Sequence, residues 1–214
     1  MPRDRVGLND IHGVSLYARE EVLGAQGLRL LESDELGALD VNTYAPIVRR
    51  RIPFSQDSSA YATGTVIGAP SNPPIINTVS RANGHGGVIE TLTVRLLGIE
   101  TTPPDLDFYF FSRLVEGTST FANHGYPSID QNDMLSLAAV ISVRSAAGHW
   151  MQLKSGASAV LGHVATLIPF VSFVLNNNTD PNSASINFFA VNAGSSYTFD
   201  VNSILDCEMA IRQG

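Results

Sequence analysis

From residue 60 onward, short apolar runs alternate with period two and stop at turn residues. This constrains the fold more than any other feature, because alternation turns one face of each run toward a core and the other toward water. AYATGTVIG, residues 60–68, reads as the first strand. In VIETLTVRLL, residues 88–97, Val88, Leu92, Val94 and Leu96 share one face. Ile89, Thr91, Thr93 and Arg95 share the other, and Glu90 falls on the apolar parity. DLDFYFFS, residues 105–112, is aromatic on both faces, which suits a strand inside a sheet. Residues 134–143 direct Leu135, Leu137, Ala139, Ile141 and Val143 inward. IPFVSFVL (168–175) and SINFFAVN (185–192) continue the series. ILDCEMAI closes it, with Leu205, Cys207, Met209 and Ile211 inward and Asp206 and Glu208 outward. ETTPPD, NNNTDPNS and NAGSS supply turns, and the connections are too short for parallel crossovers. Residues 56–214 are therefore expected to form an all-β domain, an antiparallel jelly-roll-like β-sandwich of about eight strands.

Residues 1–55 differ in texture. Segment 19–36 has the charge mix of a helix, but Gly24 and Gly27 weaken it. NTYAPIVRRRIPF reads as extended, since a residue before proline avoids helical geometry. The segment is expected to be an extended N-terminal arm with one short helix or none, too poor in apolar mass to fold alone.

Charge limits the partners. The net charge is −7, whereas nucleic-acid binders carry a basic excess, so no nucleic-acid partner is expected. Lys154 is the single lysine. No stretch reaches the roughly 18 apolar residues of a membrane helix, and MPRDRVGLND lacks the apolar run of a signal peptide. A chain made in a cytoplasm, with no membrane partner, is expected. The lone Cys207 lies in an alternating run and reads as a core residue, not a nucleophile.

Catalytic motifs are not legible. His12, His85, His124, His149 and His163 make no HxH or HExxH spacing, and no second cysteine could complete a zinc site. NGHGG at 83–87 has no GxSxG elbow to serve and reads as a turn. The expectation is a non-enzyme with no catalytic residue, cofactor or metal. One rival reading is a carbohydrate-binding module or sandwich hydrolase using Trp150, Tyr109, Asp105 and Asp107. Arg49, Arg50 and Arg51, three of only thirteen basic residues, leave three readings open. They are a solvated linker, a phosphate contact, or an arm that docks on acidic protein, where guanidinium groups suit carboxylates.

AYATGTVIG (60–68), VSRANGHGGVIETLTV (79–94), LDFYFF (106–111), DMLSLAAVISV (133–143), YTFDVNSILDCEMAI (197–211) and the closing RQG stand in a suggestive order. In order and spacing, residues 57–214 resemble small structural proteins of tailed bacteriophages, the head decoration or cement proteins with a β-sandwich body. The resemblance implies a virion protein on the capsid surface, made in the host bacterial cytoplasm. Its partners would be the major capsid protein and copies of itself, as a homotrimer on threefold positions. The arm would supply the contacts, through Tyr44, Ile47, Arg49, Arg50, Arg51, Ile52 and Phe54. A tail or connector-region protein with the same sandwich is the alternative.

Overall fold

A computed structural model describes residues 16–22, 25–33, 39–40, 47–68, 75–76, 79–80, 85–100, 102–115, 118–155, 159–175 and 184–214. The chain divides into two units, Met1–Tyr44 and Ala45–Gly214.

In the first unit, β1 (Leu16–Val22) and β2 (Ala25–Ser33) pair antiparallel, with Leu16 opposite Leu31 and Val22 opposite Ala25. A short β3 (Leu39–Asp40) adds to β2. The segment read as helical or extended is thus a sheet. Only two residues separate the strands in sequence, the length of a short antiparallel connection.

The second unit holds β4 (Ile47–Pro53), β5 (Ala60–Tyr61), β6 (Ile75–Ile76), β7 (Gly86–Leu97), β8 (Leu106–Phe111), the single-turn α1 (Gln131–Met134), β9 (Leu137–Val143) and β10 (Trp150–Ser155). β11 (Ala159–Leu167), β12 (Val171–Val174), β13 (Ile186–Asn192), β14 (Tyr197–Thr198) and β15 (Ile204–Gln213) follow. One sheet has the order β10-β11-β7-β15-β4, with β12 continuing along β7 after β11 ends. A second has the order β6-β13-β8-β9, and β14 pairs with β5 apart from both. Every pairing is antiparallel. The unit is an all-β, sandwich-like fold.

The boundary between the units corrects the expected division at residue 55. Residues 47–53 form β4, a full strand of the larger sheet, paired along β15 from Pro53 opposite Asp206 to Ile47 opposite Arg212. Ile52 and Phe54 lie in the core, where Phe54 meets Phe108 and Phe188 edge to face. The presumed first strand at 60–68 shrinks to Ala60–Tyr61, followed by a turn at Gly64 with φ +82° and a lone bridge from Val66 to Val191.

The main core packs Leu92, Val94, Leu96, Leu205, Cys207, Met209 and Ile211 against Phe108, Phe110, Phe188 and Ala190. Alternation does this work, with one exception at Glu90. In β7, Thr91 faces Ala210 and Ile89 faces Ile211, so Glu90 is the extra residue of a β-bulge. The bulge resets the parity and turns Ile89 inward, against expectation, while Val88 is only half-buried. A second cluster of Val66, Phe111, Phe121, Phe189 and Val191 covers the far face of the β13–β8 pair. Tyr109 stacks on Phe189 there at 4.8 Å. This explains why β8 is aromatic on both faces. Leu135 is 83% exposed, because the chain turns through α1 before β9 begins at Leu137.

Candidate functional site

The arginine cluster resolves into an ion-pair ladder. Arg49 and Arg51 project from the outer face of β4, Asp206 and Glu208 from β15, and Arg95 from β7. Arg51 grips Asp206 through Nε at 2.8 Å and through Nη2. Arg95 bridges both acids, reaching Asp206 Oδ1 at 3.3 Å and Glu208 Oε2 at 3.0 Å. Arg49 reaches Glu208 Oε1 at 3.1 Å. Asp206 points away from the core yet is 0% exposed, since guanidinium groups roof it. Hydrogen bonds from Arg95 and then Arg49 hold the Glu208 carboxyl below its ordinary range. Glu90 and Arg212 add a pair at 3.0 Å on the same sheet. The acidic surface that Arg49 and Arg51 meet is therefore the chain's own.

The residues assigned to arm contacts separate accordingly. Tyr44 lies outside the described residues. Ile52 and Phe54 are core, and Arg51 is committed to Asp206. Arg50 alternates to the other side of β4, and its Nη1 donates to the Arg49 carbonyl at 3.3 Å. Ile47 and Arg49 stay largely exposed.

The residues of the carbohydrate reading are structurally occupied. Trp150 packs against the core, and its Nε1 donates to the Pro104 carbonyl at 3.0 Å. Asp105 accepts the Ser145 N–H at 2.6 Å. Asp107 pairs with Arg144 at 2.6 Å and accepts the Ser142 hydroxyl. Tyr109 lies flat on Phe189, and burial raises its hydroxyl pKa. A hydrolytic carboxylate pair needs both members open to substrate, whereas here Arg144 and Ser142 occupy Asp107 and the Ser145 N–H occupies Asp105.

One polar knot was not legible in the sequence. Nε2 of His124 sits 2.9 and 2.8 Å from the two oxygens of Asp57, and the ring stacks on buried Tyr61 at 3.9 Å. His124 holds φ +60°, a left-handed conformation that histidine tolerates better than most side chains. Asn123 ties the knot to the Gly68 N–H and to Asp57, and the Asp57 N–H reaches the Tyr61 hydroxyl. The His124 hydrogen bond lowers the Asp57 pKa. The knot fastens the 122–126 turn to the chain ahead of β5. Asp57 and His124 are 67 residues apart, so no local spacing signals the pair.

The other histidines do not converge. His12 lies outside the described residues, His85 is exposed, and His149 Nδ1 accepts the Arg144 N–H at 3.0 Å. His163 is buried on the inner side of β11, its Nδ1 has no hydrogen-bond partner, and burial lowers its pKa. Cys207 is wholly buried, and burial pushes its thiol pKa far up. Gly86 and Gly87 of the glycine-rich segment open β7, where a Cβ on Gly87 would strike the Phe173 ring at 2.6 Å. Among the described residues, no group of three or more His, Cys, Asp or Glu side chains could hold a metal ion. Among them, no helix is long and apolar enough to cross a membrane.

Comparison of the chain with known protein families, curated proteins and solved structures finds no match in any of the three.

Proposed function

We propose that the chain is a non-enzymatic structural protein of a bacteriophage virion, a decoration or cement protein that binds the head surface and stabilises the shell. The strand order carries this reading. With β11 and β12 taken as one interrupted strand, four strands lie in each layer: β11-β7-β15-β4 and β6-β13-β8-β9. The chain passes from layer to layer at β4 to β6, β6 to β7, β7 to β8, β9 to β11, β12 to β13 and β13 to β15. β10 is an added strand on β11. This order supports a jelly roll, the double Greek key used by viral capsid and lectin domains.

A fold does not by itself define a function, so the surface matters too. The carboxylates tested as catalytic candidates are neutralised or hydrogen-bonded within the chain. Large apolar side chains such as Ile99, Leu135, Phe170 and Val201 face solvent, as suits a protein that works while covered by neighbours. The major capsid protein is the proposed partner, and further copies of the chain are the second, with a trimer matching threefold shell positions. Because residues 47–54 belong to the body, the capsid contact falls to residues 1–44, with exposed Ile47 and Arg49 at its margin.

Co-sedimentation of the full-length protein with expanded phage capsids tests the proposal. Saturable binding at a fixed ratio to the major capsid protein is expected. Folded protein that stays in the supernatant overturns it, and binding to isolated tails instead would reassign the chain to the tail or connector.

A further inference from the structure

We infer that the free edge of β12, with the side chains of Ile168, Phe170 and Val174, is the surface on which a second copy of this chain docks. β12 pairs with β7 along one side only. β10, which flanks β11, begins at Trp150 opposite Ala165 and so stops short of β12. Among the described residues, no strand pairs with the other side of β12. An edge strand presents a row of main-chain donors and acceptors that templates further pairing, and proteins blunt such edges with charge. β4, the opposite margin of the sheet, carries Arg49, Arg50 and Arg51, and β10 carries Lys154. Residues 159–175 contain no Asp, Glu, Lys or Arg. Neither do residues 134–143, which include β9, the margin of the other sheet that approaches β12.

The side chains agree with the backbone. Ile168, Phe170 and Val174 are each 63% exposed. Phe170 holds φ +46°, an outlier for a bulky residue. Strain of this kind persists where the surrounding structure or a function requires it. An isolated chain gains little from holding an aromatic ring in water by a strained backbone, whereas a chain that inserts the ring into a neighbour gains its burial.

Charge identifies the occupant. Each copy carries −7, so two copies repel through much of their surface. A strip without charge lets like-charged copies meet without setting like charges opposite one another. Lacking charge, it can also meet its own counterpart, as an isologous contact between identical chains requires. The order of assembly follows from whether the strip meets its own counterpart or another face of the neighbour. The inference concerns the purified chain alone, so it stands or falls separately from capsid binding.

Sedimentation equilibrium of the full-length protein and of Phe170→Asp, Val174→Lys and Phe170→Gly tests it. The wild type is expected to associate into multiples of its 22.9 kDa mass. The two charged variants are expected to associate at least about tenfold more weakly, as loss of a central apolar anchor does. Phe170→Gly removes the ring and suits the left-handed backbone, so it should weaken association while raising the thermal midpoint read at dilutions where both proteins are monomeric. That opposite pair of shifts separates a docking role from a folding role. A wild type that stays monomeric at every concentration overturns the inference, as it would if residues 1–44 of the same chain or a foreign protein covered the strip. Unchanged assembly in variants with native circular dichroism overturns it equally.

Discussion

The two margins of the larger sheet solve one physical problem in opposite ways. At the β4 margin, three arginines and two acids cross-link β4, β15 and β7, and the roofed Asp206 is satisfied within the chain. At the β12 margin residues 159–175 carry no Asp, Glu, Lys or Arg, one side of the strand is unpaired among the described residues, and a strained phenylalanine faces solvent. The first margin is closed chemistry and the second is open. The contrast shows that a charge cluster conspicuous in sequence can be internal bracing, while a bland apolar run can be left at an open sheet edge.

The largest expected effect breaks the closed margin. Asp206→Ala strips the shared carboxylate from two guanidinium groups. Removing one partner of a buried pair typically costs 3–5 kcal/mol. Both arginines retain access to water, so the loss should fall near the lower end, about 3 kcal/mol in urea denaturation. A loss under about 1 kcal/mol would mean that the ladder is ornament on a sheet held by its core alone. At the open margin the sign reverses. Phe170→Gly, read in dilute monomer, should stabilise the fold by about 1 kcal/mol as the left-handed strain is relieved. Destabilisation would show that the Phe170 ring braces its own chain.

The same contrast explains what was legible in the sequence. Period-two alternation located β7, β9 and β15, which bury one face, while unbroken apolar and aromatic runs located β8 and β13, which are covered on both. It failed where the chain stops being a regular strand. The Glu90 bulge reversed the parity of Ile89, and α1 left Leu135 in water. The arginines were read as arm because their carboxylates lie more than 150 residues away on β15. That separation also hid β4 and the core roles of Ile52 and Phe54. Phe170 carried a faint signal, a bulky residue after Pro169 within an apolar run, but its φ and exposure come only from tertiary structure. The His124–Asp57 knot had no signal of any kind.

A pH measurement probes the edge beside the open margin. His163 lies on the inner side of β11 and is buried neutral. Its folded pKa lies below the ordinary value of 6.5, so on acidification the unfolded chain takes up the proton first. Stability should therefore fall as pH drops below about 6.5 and level off once the folded value is passed. Glu100, the charged group that acts on His163, offsets part of this by favouring the protonated form. The effect should thus be smaller than that at Phe170. Thermal midpoints across mildly acidic buffers should show the decline in wild type and its loss in His163→Gln. An identical decline in both would assign it to another group.

The smallest effect is expected at the residue that looks most functional in the sequence. Arg49 is 71% exposed and makes one ion pair, with Glu208, which Arg95 also holds. An exposed pair of this kind contributes about 0.2–1 kcal/mol, and salt screens it. Arg49→Ala should lower stability by no more than about 0.5 kcal/mol, a difference that disappears in high salt. Glu208 would keep its stronger partner, Arg95, and its pKa should rise only part of the way back to the ordinary range. Stability being nearly untouched, Arg49→Ala also isolates the remaining capsid expectation for this residue. If capsid co-sedimentation falls while the melting curve overlays that of wild type, Arg49 faces a partner as well as Glu208. If neither changes, Arg49 belongs wholly to the closed margin, and the proposed capsid contact does not involve it.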